Sequence, residues 1–126
     1  MRKVALIVLF NKEKKILLQH RTDDAPINPS KWGFFGGKIK EDETPLEAVK
    51  RECLEELDYQ LTGPKLVHKR KYGDCYSYIY VEAYNPKKEL ILREGQAMGW
   101  FSLPESKELD SNGHILEILY KIFDEI

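Results

Sequence analysis

Only two cysteines, Cys53 and Cys75, occur in 126 residues. That excludes a disulfide-stapled fold and a Cys-rich zinc framework. Neither sign of charge prevails either, with 20 Lys and Arg against 21 Asp and Glu and a net charge of −1. A chain so balanced has no general attraction to nucleic acid or to an anionic membrane, so neither is expected as a partner. Long apolar runs are missing. The stretch Val4–Phe10 is too short to span a bilayer. Polar Asn11–Lys15 follows it with no small-residue cleavage site, so no secretory signal is expected and the location read from the sequence is cytoplasmic. Repeats and low-complexity segments are absent too. The length supports one core and not two, which predicts a single domain over residues 1–126.

What is present is a mixture of strand and helix patterns. Val4–Phe10 has the unbroken apolar character of a strand buried on both faces, and Lys15–His20 returns as a second strand after a polar turn. Arg21–Lys31 reads as a loop, and Trp32–Phe35 as a short aromatic strand entering Gly36-Gly37. Leu66–Tyr72 and Tyr76–Tyr84 form a hairpin about Gly73-Asp74. Glu89–Leu92 and Ala97–Ser102 read as two further short strands. Ile115, Ile118, Leu119, Ile122 and Ile126 recur at helical spacing and mark a C-terminal amphipathic helix. The basic run His68-Lys69-Arg70-Lys71 reads as an exposed strand or turn rather than a dedicated phosphate groove. Strands and helices in this order predict an α+β fold, a mixed sheet flanked by helices.

The run from Gly37 to Tyr59 carries the chemistry. Thr44 can cap a helix, Pro45 suits its first position and Glu47 completes a capping box, giving a helix from about Thr44 to Leu57. Leu46, Val49, Cys53 and Leu57 then fall on one apolar face. Glu52, Glu55 and Glu56 project as one acidic stripe beside that face, each like-charged pair costing roughly 0.2–0.5 kcal/mol. Arg51, four residues before Glu55, offsets part of the repulsion and could also make an ordinary surface pair with Glu47. A divalent cation among the carboxylates would make sense of the stripe, and all-oxygen ligands point to Mg²⁺ or Mn²⁺ rather than zinc.

Gly37, Glu43 six residues on, Arg51-Glu52 and Glu55-Glu56 stand at the spacing of the Nudix box. The chain thus resembles the Nudix hydrolases, which act on a nucleoside diphosphate linked to another group. Two departures are visible: Asp58 where the box has glycine, and Phe35 where a proline is usual. The resemblance implies the Nudix α/β/α sandwich, Mg²⁺ (or Mn²⁺) as cofactor, and homodimers in many relatives. It also implies Glu55 and Glu56 as main metal ligands, Glu52 as ligand or general base, the Gly36 carbonyl as a further ligand, and Glu43 orienting Arg51. The stretch Arg93-Glu94-Gly95-Gln96 resembles mutator-type members, in which a loop glutamate serves as ligand or base, so Glu94 is the further carboxylate. Arg21 matches a position that holds substrate phosphates, although it also reads as a plain surface arginine. Tyr78, with Tyr76 and Tyr80, could stack on a base or simply pack the sheet. Asn112 resembles a base-reading asparagine or is a helix cap.

The expected activity is Mg²⁺-dependent hydrolysis of a phosphoanhydride. A canonical or oxidised nucleoside triphosphate would give the monophosphate and pyrophosphate. Nucleotide sugars, dinucleoside polyphosphates and capped RNA ends are the alternatives, as is a Nudix domain that senses a nucleotide without cleaving it.

Overall fold

Val4, Ala5, Ile7, Val8 and Leu9 are all buried. Successive strand residues face opposite sides, so the strand that holds them, β1 (Arg2–Phe10), must be covered on both. The computed structural model, which describes residues 2–111 and 113–126, places it inside a sheet of seven strands. One edge of β1 pairs in parallel along its whole length with β6 (Cys75–Ala83). The other edge is shared between two antiparallel neighbours. These are β2 (Ile16–His20), paired at Phe10, and β4 (Phe35–Lys38), paired from Val4 to Ile7. Beyond them, β5 (Lys65–Tyr72) pairs with β6, while β3 (Trp32–Gly33) and β7 (Ala97–Phe101) pair with β2.

Two apolar layers result. Ala5, Ile7 and Leu9 pack under α1 (Pro45–Leu57) through Ala48, Val49, Cys53 and Leu57. On the opposite face, Val8, Leu18, Ile79 and Val81 meet Ile118, Leu119 and Ile122 of α3 (Gly113–Ile122), which ends in a 3-10 turn at Phe123–Glu125. The expected α+β sandwich is therefore the observed one. No helix among the described residues is long and apolar enough to cross a membrane.

Local chemistry fixes the ends of α1. The Thr44 hydroxyl accepts from the Glu47 amide, the Glu47 carboxylate accepts from the Thr44 amide, and Pro45 opens the helix. A second capping box, Ser102 with Glu105, starts the short α2 (Leu103–Ser106), which the sequence reading overlooked although Pro104 and Glu105 signal it. Two expectations need correcting. Leu46 lies on the outer face, 41% exposed, and Ala48 takes its place in the apolar seam. Glu89–Leu92 is not a strand, because its neighbourhood satisfies the end of α1 instead. The Ile91 amide donates to the Leu57 carbonyl (2.9 Å) and the Arg93 amide to the Glu56 carbonyl (2.8 Å).

Asp58 caps α1 in the left-handed region (φ 52°, ψ 34°), where the family box has glycine. Left-handed backbone costs a residue bearing a Cβ roughly 1–2 kcal/mol. A carboxylate at a helix C-terminus adds about 0.3–1 kcal/mol. The exposed contact with Arg93 (3.3 Å) returns about 0–1 kcal/mol. Asp58→Gly is therefore expected to raise stability by about 1 kcal/mol in urea denaturation, with m unchanged.

Candidate active site

Gly36 and Gly37 lie where β4 crosses β1, opposite Leu6 and Ala5. A Cβ on Gly36 would stand 2.2 Å from the Ala5 carbonyl oxygen, and its φ of +135° suits glycine alone. A Cβ on Gly37 would meet the Glu52 carboxyl at 2.7 Å. The glycine pair thus lets α1 lie close enough to set two carboxylates on the strand backbone. Glu52 covers Gly37, and Glu56 accepts the Gly36 amide at 2.8 Å. In the structure, the groups they make room for are β1 and the Glu52 carboxylate.

Arg51 fastens this arrangement. Its Nε and Nη2 hold both oxygens of Glu43 (2.6 and 2.9 Å), a fork that lysine cannot copy. Nη1 reaches Glu52 (2.9 Å) and Glu55 (3.3 Å), and Nη2 also donates to the Lys38 carbonyl (3.0 Å). The Glu47–Arg51 pairing does not form, because Glu47 is committed to the cap. The Arg51 guanidinium, then the Lys40 amide, hold the Glu43 carboxyl down to about 2.

Glu94 arrives from the loop before β7. Gln19 holds that loop: buried in the apolar run Ile16-Leu17-Leu18, it donates from Nε2 to the Glu94 carbonyl at 2.9 Å. The Gln96 amide donates to the His20 carbonyl (2.9 Å) and the Arg93 amide to Glu56, so the loop bridges β2 and the end of α1. Gln19 was missed in the sequence. Its signal was an amide side chain in a strand otherwise too apolar to carry one.

The electrostatics are those of crowded carboxylates. Glu56 is only 3% exposed. Burial first, then the hydrogen-bonding contact and charge of Glu94, push its carboxyl up to about 10. Burial also raises Glu52, against the pull of Arg51. Glu55 points outward, its side chain 57% exposed. As they stand, no three Asp, Glu, His or Cys side chains among the described residues form a ready-made metal cage. The physical reason is visible, since Arg51 occupies one oxygen each of Glu52 and Glu55, and the Gly36 amide one of Glu56. The donor set still fits a hard divalent cation. Glu52 lies on Gly37, Glu56 on the Gly36 amide and Glu94 against Glu56, and burial raises the proton affinity of both Glu52 and Glu56 while the three charges oppose one another.

A cleft of about 270 Å³ opens beside Gly36 and Gly37 on the α3 side of the sheet. Val4, Leu6, Phe34 and Ile118 make it apolar, Trp32 and Tyr72 add aromatic walls, and Arg2, Arg21, Arg70 and His114 supply polar groups. Among the described residues, no Asp or Glu lines it. Past Gly37 on the α1 side, a second groove runs by Lys3, Lys38 and Lys40, next to Glu43, Arg51 and Glu52. Arg21 therefore faces the cleft, its Nε donating to the Ile27 carbonyl at 2.8 Å. Tyr78 does not. Cys75 and Ser77 line the cleft from β6, whereas Tyr78 and Tyr80 point to the opposite face and pack on the core under α1. Asn112 lies outside the described residues. Arg70, read from the sequence as part of an exposed basic strand, is instead a cleft residue.

Two outcomes follow from this geometry. The folded state holds a proton on Glu56 that the unfolded chain releases near its ordinary value of 4.5. In the metal-free protein the Glu56 contribution to stability is therefore fully present below about pH 4.5 and declines as pH rises toward 10, whereas the contribution of Glu43 is lost as pH falls below about 4.5. The expected fall in melting temperature between about pH 5 and pH 9 is on the order of 5–10 °C. Glu56→Gln, which keeps the acceptor for the Gly36 amide, should flatten most of that slope in a calorimetric pH series. Arg51→Lys should lower kcat by roughly 10–100-fold with the fold intact by circular dichroism, since the fork orienting Glu43 and Glu52 is lost.

Comparison with known proteins agrees with this architecture. The family model described as NUDIX domain matches residues 1–120. An RNA pyrophosphohydrolase of Francisella tularensis subsp. tularensis is 32% identical over 111 residues, covering 84% of this chain. The chain spans 66% of the length of that curated relative. Among solved structures, the MutT protein of Methanosarcina mazei Go1 superposes with a TM-score of 0.83 at 20% identity, covering 98% of this chain and 93% of its own. The MutT NUDIX hydrolase of Burkholderia pseudomallei superposes with a TM-score of 0.81 at 23% identity, covering 96% and 97%. At those identities the superpositions speak for the fold, and the family assignment rests on the match over residues 1–120 and on the motif it contains. The chain belongs to the NUDIX domain family.

Proposed function

We propose that this protein is a divalent-cation-dependent pyrophosphohydrolase that cleaves a nucleoside triphosphate to the monophosphate and pyrophosphate. The observation that carries the reading is Glu52 set on Gly37 and Glu56 on the Gly36 amide, with Glu94 against Glu56, between an aromatic cleft and a lysine-lined groove. A nucleoside fits the cleft, with Tyr72 and Trp32 as aromatic walls and Arg21 toward the phosphates. The phosphate tail follows the groove past Lys3, Lys38 and Lys40. Glu56, Glu94 and the Gly36 carbonyl are the groups that would hold Mg²⁺, which when bound neutralises phosphate charge and polarises a water.

The remaining work falls to side chains. Arg51 holds the Glu52 oxygen Oε1 and leaves Oε2 to take a proton from the attacking water. That makes Glu52 the general base and Glu43 and Arg51 its positioning pair. The raised proton affinity that burial gives Glu52 suits a base working near neutrality. Glu56, accepting the Gly36 amide, fixes the other side of the site. Keeping all four box glutamates favours turnover over mere nucleotide sensing.

A second reading has its own support. The curated relative is called an RNA pyrophosphohydrolase, and Arg2, Arg21 and Arg70 line the cleft. The 5′-triphosphate end of an RNA is then the substrate. The near-zero net charge, which counted against nucleic acid in the sequence, averages over the whole surface and carries little weight for one cationic cleft.

The deciding experiment is pyrophosphate release in Mg²⁺ from free nucleoside triphosphates, canonical and oxidised, and from a 5′-triphosphorylated RNA oligonucleotide. Pyrophosphate from the free nucleotides, lost on the order of 10³-fold in kcat by Glu56→Gln, is the expected result. Release from the RNA alone would favour the second reading. No release from any of them, with Mg²⁺ and nucleotide bound, would overturn both.

A further inference from the structure

The basic run on β5 splits between the two faces of the sheet. β5 is the last strand and pairs with β6. Arg70 turns to the cleft and α3, whereas Lys69 and Lys71, on the alternate pleat, turn to the α1 side. Pairing then sets Lys71 opposite Tyr76 and Lys69 opposite Tyr78. On the other side of β6, β1 places Lys3 beside Tyr76 and Ala5 beside Tyr78. Lys3, Tyr76 and Lys71 therefore form a row across the sheet, its ends two strand spacings, roughly 10 Å, apart.

α1 packs over β4 and β1, and at this corner Lys3, Lys69 and Lys71 are exposed and Tyr76 is half-buried. Tyr78 rests on the core, with Lys69 Nζ 5.8 Å from its ring centre. The Tyr76 ring lies 5.2 Å from that of Tyr78, which backs it. Among the described residues, none of these lysines makes an ion pair. Lysines on an edge strand would by themselves merely keep another strand from pairing. The tyrosines set between them add nothing to that role and leave an aromatic surface framed by cations. Lys3 also lines the lysine groove, so the patch continues into the approach to Glu52.

We infer that this corner is an accessory binding surface for a single-stranded nucleic acid, with a base stacked on Tyr76 and backbone phosphates at Lys3, Lys69 and Lys71. Cations that follow a backbone and an aromatic ring that takes any base are the two requirements of sequence-tolerant single-strand binding. A duplex keeps its bases paired and offers none to Tyr76, and an anionic membrane would engage the lysines alone. The nucleotide cleft opens on the opposite face of the sheet, so the inference goes beyond the proposed reaction and does not depend on it.

The test is fluorescence anisotropy of a 3′-labelled oligouridylate of about 12 nucleotides, within the usual site size for such surfaces, titrated with the full chain. Its 5′-hydroxyl end carries no anhydride to cleave, so the signal reports the surface and not the reaction. Wild-type protein is expected to bind with a slope of log affinity against log salt near −2, about 0.7 for each lysine. Lys69→Gln combined with Lys71→Gln should cut that slope to about −0.7 and leave pyrophosphate release from free nucleotides unchanged. Tyr76→Leu should weaken binding on the order of tenfold, and Tyr76→Phe, which keeps the ring, should not. A duplex of the same length and vesicles containing phosphatidylserine should compete poorly. No binding by the wild type at low salt, an affinity that Tyr76→Leu leaves unchanged, or vesicles that compete as well as the oligonucleotide would overturn the inference. If Tyr76→Leu does not melt cooperatively, the lysine variant decides: an unchanged salt slope counts against the surface.

Discussion

Carboxylates pressed together against a strand backbone repel one another and lose their water, and this site depends on that enforced approach. Glu52 sits on Gly37 and Glu56 on the Gly36 amide because those two positions have no side chain to keep α1 away. The same approach lets Ala48, Val49, Cys53 and Leu57 seal the core against β1. Helix packing and active-site assembly are thus one event. The fold's apolar gain, about 1.5–3 kcal/mol for each fully buried Val or Leu, offsets the electrostatic cost of assembling the acids.

The cost is distributed in an orderly way. Arg51 neutralises the outer acids, Glu43 above all, in a bidentate contact that also steers Glu52. The inner acid, Glu56, receives an amide but no cation from the protein, and Glu94 is brought up against it by a loop that Gln19 and the end of α1 hold in place. A site left short of positive charge where its carboxylates are most buried is poised for a ligand that brings that charge. The cleft reaches Gly37 and the lysine groove starts at Lys38 beside Glu52, so a phosphate chain running as proposed from one to the other would pass the acids.

Much of this was legible in the sequence for identifiable reasons. Thr44, Pro45 and Glu47 announce a helix start by local chemistry alone, and the acidic stripe follows from helical spacing once the start is known. The split edge of β1, which leaves room for β4 and its glycines, could be inferred only from pairing and not from any local signal. Leu46 and Ala48 exchange places because a heptad-like reading cannot tell which side of a short helix meets the sheet. Gln19, Arg70 and His114 went unassigned because their roles depend on contacts across 44 to 75 residues of chain. For Tyr78 the sequence left base stacking and sheet packing both open, and the structure shows packing. An aromatic on an alternating strand can face either layer, and here β6 gives its other face to the cleft.

The most direct test of this account is a Mn²⁺ titration followed by electron paramagnetic resonance of the free ion, with Mg²⁺ as competitor. The wild-type chain is expected to take up about one ion that Mg²⁺ displaces, and Glu56→Gln to lose that uptake while melting cooperatively. Uptake unchanged in the variant, or none in the wild type, would contradict the claim that the acids at Gly36-Gly37 are assembled to hold a cation.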